Sequence, residues 1–185
     1  MKKIQFFSTI PGVVDTNPIY EAKNHTTRWM TAAREDFIRQ SKMNKGRFTH
    51  IFQCPGIFDL FNYGFIVPAW HDALIKTNGD PSGFAWLPPT DEFTAMTNGF
   101  DAIGKHVNDL DKYLPKKPGA LHSMVKFNTP WHVVVPKGIK FLVLPVAYPD
   151  SYEFEGAIGI LDPAINSEIN VQVFWNIRNG EHVIK

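Results

Sequence analysis

Val125-Lys126-Phe127, then Trp131-His132-Val133-Val134-Val135, then Pro136-Lys137-Gly138, then Ile139-Lys140-Phe141-Leu142-Val143-Leu144-Pro145 is the stretch that decides the fold. Its residues are β-branched, aromatic and aliphatic, and a Pro-Lys-Gly turn divides them. That composition favours extended chain. Ala157 to Leu161 and Ile169 to Ile177 continue it, and Asn179-Gly180 reads as a hairpin signal before Glu181 to Lys185. Upstream, Ile4 to Ile10 is a strand stopped by Pro11-Gly12, and Phe48 to Gln53 is a strand broken by Cys54-Pro55-Gly56. Tyr63 to Ile75 holds two apolar runs divided by Pro68. Asn78-Gly79-Asp80-Pro81 is a turn, and Phe84 to Leu87 is a short strand.

Two segments carry helical spacing. Thr26 or Thr27 can cap a helix over about 27–40, with Trp29, Ala33 and Phe37 four apart on one face. Lys42 to Arg47, with Gly46, ends it. The main helix is expected over about 91–113. Phe93, Met96, Phe100, Ile103, Val107 and Leu110 form its stripe, and Thr90 is its cap. Gly99 and Gly104 each cost about 1 kcal/mol in a helix interior, so a break near Asn98-Gly99 fits. The fold expected is mainly β: one domain spanning 1–185, a β barrel or sandwich with these two helices.

The chain has 185 residues, 44% hydrophobic and 20% charged, which argues for a folded core rather than disorder. A net charge of +1 argues against general nucleic-acid binding, which needs surplus cations. Lys42, Lys45, Arg47, Lys116 and Lys117 read as solvated loops. One cysteine, Cys54, excludes an intrachain disulfide and a multi-thiolate zinc site. Ile4 to Ile10 is too short and polar for a secretory signal, and no apolar run reaches membrane-spanning length.

The candidate chemistry is sparse. His71-Asp72 is the most tempting ligand pair, but neighbours on a strand point to opposite faces. His50 and Cys54 lie four apart, and His122 and His132 flank a strand; none has the spacing of a metal site. Cofactors are therefore not indicated, and no metal ligands are assigned. There is no Gly-x-Ser-x-Gly elbow and no phosphate-cradling glycine loop. Asp150, Glu153, Glu155 and Glu168 read as loop carboxylates. Asp162 follows an apolar strand and precedes Pro163, where an acid can act as a base or accept backbone hydrogen bonds. Trp70, Trp131 and Trp175 are candidate binding rings.

Gly159-Ile160-Leu161-Asp162, Asn166 to Phe174 and Gly180 to Lys185, with Pro136-Lys137-Gly138, resemble the end of a dUTPase or dCTP-deaminase type β domain. The resemblance covers roughly the last third of the chain. It implies that Asp162 matches the acid orienting the attacking water. It also exposes departures: Ile165 stands where that family stacks a tyrosine, Ser167 where it has a glycine, and Pro145 to Ser151 contains no arginine for phosphate. The shared scaffold is thus expected without the shared activity.

Cys54-Pro55-Gly56-Ile57, Gly64 to Asp72, Pro130-Trp131 and Gly159 to Pro163 resemble a family encoded by tailed phages of marine cyanobacteria and related bacteria. That resemblance implies no activity. It does imply a host-cytoplasmic or virion location, without secretion by the chain's own signal, and relatives that continue past Lys185. The expectation is a phage-type accessory or structural protein acting by binding or assembly. Its partners would be other copies of itself and other phage or host proteins, with neither membrane nor nucleic acid among them. The alternatives are a metal-dependent or nucleotide-directed enzyme using Asp162 or His71/Asp72, and a small-molecule, nucleotide-binding protein.

Overall fold

The computed structural model describes residues 3–44, 46–87, 97, 100–106 and 112–184. It is mainly β, as expected. The strands are β1 (Gln5–Ser8), β2 (Tyr20–Glu21), β3 (Phe65–Ile66), β4 (Ala73–Asn78), β5 (Ala85–Leu87), β6 (Ile103–Lys105), β7 (Val125–Val134), β8 (Phe141–Val143), β9 (Phe154–Gly156), β10 (Gly159–Leu161), β11 (Glu168–Trp175) and β12 (Asn179–Ile184). The α-helices are α1 (Val13–Thr16), α2 (Arg28–Met43) and α3 (Pro55–Phe58). Two compact units contain them. One comprises Met1–Pro18, Ala69–Val146 and Tyr152–Lys185; the other comprises Ile19–Pro68 and Ala147–Ser151.

The larger unit holds two sheets and a ribbon. In one sheet, β7 is central: β11 lines one edge and carries β9, while β1 and β6 share the other edge. The second sheet runs β12-β4-β5, and β8 pairs with β10 as a separate two-stranded ribbon. All these pairings are antiparallel. Ile75 and Ile184 from one sheet and Ile103, Val125, Val173 and Trp175 from the other join Leu121 in one buried cluster. The barrel-or-sandwich expectation resolves to two open sheets sharing this core; among the described residues no closed barrel forms.

β7 is one strand where the sequence suggested two, and it accommodates Pro130, which is fully buried. A proline cannot donate to a ladder. The pairing with β11 shifts register between Glu168 and Asn170, opposite this point. Thr129 bridges the interruption. Its hydroxyl donates to the Ile169 carbonyl at 2.5 Å and accepts from the Trp131 N–H at 3.2 Å. Asn170 adds a side-chain acceptor for the Thr129 N–H at 3.3 Å.

Three expectations need correction. Ile103–Lys105, placed in the main helix, is a strand paired with Phe127 to Val125. Gly104 had already weakened the helix, and burial of Ile103 in the core supplies the tertiary term that local spacing omits. Residues 91–96, 98–99 and 107–111 of that helix lie outside the described residues. Asn179-Gly180 does not fold β12 back on β11; β12 pairs with β4, so the chain crosses from one sheet to the other there. Phe48 to Gln53 is not a strand: Ile51–Gln53 is a 3-10 turn, and Cys54 precedes α3 with Pro55 in its first turn.

In the smaller unit, Thr27 caps α2 by accepting from the Met30 N–H at 3.4 Å. Phe37 packs against Phe48 and Phe52 at 5.6 and 5.5 Å between ring centres. Trp29 donates to the Tyr148 carbonyl at 2.8 Å. Among the described residues, no helix is long and apolar enough to cross a membrane.

Candidate functional site

The sequence candidates do not converge on one arrangement. Trp131 and Trp175 are 2% and 0% exposed, inside the larger unit, and the indole N–H of each has no hydrogen-bond partner among the described residues. Trp70 is also buried, with its Nε1–H donating to the Asn128 carbonyl at 3.3 Å and its ring against Phe100 at 5.4 Å. These rings are interior packing. His71 lies edge-on to Trp70, and its Nδ1–H donates to the Asp72 carbonyl, which fixes the tautomer. Burial holds the His71 imidazole below its ordinary proton affinity, against the opposing pull of Asp72. Among the described residues, no three His, Cys, Asp or Glu side chains are grouped to hold a metal.

Asp162 takes the structural option the sequence left open. It accepts from the Ala164 N–H at 3.0 Å, while its carbonyl receives the Ile165 and Asn166 N–H groups at 2.9 and 3.0 Å. Lys140 Nζ lies 2.8 Å from Oδ2. The Lys140 contact and then the Ala164 N–H hold the carboxyl below the usual carboxylate range. Asp162 is thus a turn-closing acid with a cationic partner.

A second polar pair was not anticipated. His50 Nδ1 accepts from the Phe52 N–H at 3.1 Å, so Nε2–H is the donor toward Asp36 Oδ2 at 3.2 Å. Asp36 also receives Arg39, and His50 first and Arg39 second hold its carboxyl low. With both ring nitrogens committed, His50 joins α2 to the turn after it and has no free lone pair for base chemistry.

The feature that stands out lies on the ribbon. Pro136-Lys137-Gly138 turns β7 into β8, with the Ile139 N–H bonded to the Pro136 carbonyl at 3.2 Å and Gly138 at φ +89°. That is the glycine position of a type II turn. In the ribbon Leu142 pairs with Ile160, while Phe141 pairs with Leu161 and Val143 with Gly159. Phe141 turns toward Phe6, with ring centres 6.3 Å apart. By strand alternation the opposite face carries Leu142 and Ile160, then Leu144 and Ile158 beyond the paired residues. The close passage of Pro145 past Gly156 keeps the two segments side by side there. Those four side chains are 58%, 64%, 57% and 71% exposed.

A ribbon with one solvated face ordinarily alternates apolar-in and polar-out. Here both faces are apolar, and the outward side chains are more than half exposed. The same register sets Lys140 opposite Asp162, so their ion pair closes one end of the outward stripe. The signal in the sequence was the unbroken run Phe141 to Leu144. Such a run belongs to strands covered on both faces. No family model, curated protein or solved structure matches the chain.

Proposed function

We propose that this chain works by binding and assembly rather than by catalysis, with other copies of itself as its partner. The observation that carries the reading is the outward face of the β8–β10 ribbon. Fully burying an aliphatic side chain of this size contributes about 1.5–3 kcal/mol. Four of them, each more than half exposed, leave about 4–8 kcal/mol unrealised in the isolated chain. Association costs roughly 4–15 kcal/mol in lost freedom, so this face suits a reversible, concentration-dependent contact. A contiguous apolar strip rimmed by an ion pair is also how protein interfaces are commonly built. The resemblance to a tailed-phage family supports an accessory or structural role of the same kind.

Sedimentation velocity over a hundredfold range of concentration tests the reading. The expected result is a rising weight-average sedimentation coefficient. A sedimentation coefficient that stays monomeric throughout overturns it.

A further inference from the structure

We infer that two copies pair through their ribbons, outward face on outward face, about a two-fold axis parallel to the strands. The inference rests on the assembly reading above and adds how the two faces meet.

Two observations choose a second copy as the occupant. The first is area. At about 25 cal/mol per Å², the transfer energy of an aliphatic side chain corresponds to roughly 60–120 Å². Leu142, Leu144, Ile158 and Ile160 at their exposures, with the half-open Val146 nearby, offer about 170–350 Å² of apolar surface. A standard interface buries about 800 Å² per partner, somewhat over half of it apolar. The stripe therefore supplies the apolar centre of such an interface, with polar rim around it.

The second is charge. The outward face carries one cation and one anion, Lys140 and Asp162, opposite each other at the same end of the ribbon. A two-fold axis along the strands lays β8 of one copy over β10 of the other without shifting either end. Leu142 then meets Ile160 of the second copy, and Lys140 meets Asp162. Each ion pair finds its opposite, and four alternating charges seal one end. An axis across the strands instead sends the two ion pairs to opposite ends, where they meet no complement.

Face-to-face sheets stand about 10 Å apart, within the combined reach of a lysine and an aspartate. The contact is isologous, so it closes at two copies.

The test uses the full chain and three variants at low salt, each checked by circular dichroism for an unchanged spectrum. Leu142→Glu puts a charge in the centre of the stripe and is expected to weaken self-association at least tenfold. Lys140→Glu leaves an acidic rim and Asp162→Asn a cationic one; the asparagine keeps an acceptor for the Ala164 N–H. Each alone is expected to weaken self-association about two- to fivefold. Mixed in equal amounts, they restore one of the two ion pairs between copies and are expected to associate more tightly than either variant alone, with the gain lost at high salt.

Association of Leu142→Glu at parental strength overturns the surface assignment while the assembly reading stands. A mixture no tighter than the tighter of the two variants alone overturns the strand-parallel axis. A parent chain that is monomeric throughout assigns the face to a different molecule and ends both readings.

Discussion

Thr129 is where the central strand of the larger unit is most exposed to a single change. Thr129→Val keeps the shape of the side chain and removes its oxygen. That oxygen serves two backbone groups beside Pro130, the Ile169 carbonyl at 2.5 Å and the Trp131 N–H at 3.2 Å, and the site is buried. A buried backbone group left without its partner costs about 1–3 kcal/mol, so the valine variant should lose about 2–4 kcal/mol in all, allowing for partial relaxation. Thr129→Ser keeps the oxygen and loses one methyl, which costs about 0.8 kcal/mol. Urea denaturation followed by tryptophan fluorescence reads both, with the midpoint expected to move and the slope unchanged. A valine variant as stable as the serine variant refutes the claim that this hydroxyl carries the ladder past the proline.

Acid should weaken the fold through Asp162 and Asp36. Both carboxyls are held low in the folded chain, so their contribution is full above the unfolded value of about 3.9 and is lost as pH falls through the lower folded values. Thermal midpoints between pH 5 and 2 should fall less steeply for Asp162→Asn, and an identical slope refutes the assignment. His71 acts at higher pH. Burial favours its neutral ring, so its contribution is present above about 6.5 and is lost as pH falls through the depressed folded value. His71→Asn should flatten the midpoint curve there. Gly138→Ala forces a side chain into the left-handed region at φ +89°, with an expected cost of about 1–2 kcal/mol, and a thermal midpoint equal to the parent's contradicts the type II turn. His50→Ala removes both the acceptor for the Phe52 N–H and the partner of Asp36, and should cost about 1–2 kcal/mol by chemical denaturation. No loss would show that α2 and the following turn are held by the Phe37 ring cluster alone.

Much of the β content was legible because it is local. Gln5–Ser8, Ala85–Leu87 and Gly159–Leu161 lie inside predicted runs, Glu168–Trp175 starts one residue before one, and α2 begins one residue after its capping Thr27. What escaped is what neighbours decide. Ile103 sits at helical spacing from Phe100, yet the edge of β7 takes it as a strand residue. Asn179-Gly180 has the chemistry of a hairpin, yet β11 is already paired with β7 and β9, and β12 pairs with β4 instead. The tryptophans were read as rings for a ligand because aromatic content says nothing about which face of a strand is covered. Asp162 was legible as a turn acid, but its place at the end of an outward apolar stripe depends on the β8–β10 register. That register joins Leu142 to Ile160, 18 residues on, with no short-range signature.

The ribbon's brevity has its own consequence. Each of its strands has one strand partner among the described residues, so each has a far edge that no second strand covers. Such edges recruit strand after strand and grow into filaments. Here each edge is three residues long, and imino acids stand close by at Pro136, Pro145 and Pro163. Sideways growth is starved of template at both margins, whereas stacking of one broad surface on another stops of its own accord. The ribbon should therefore not be where fibrils of this protein begin.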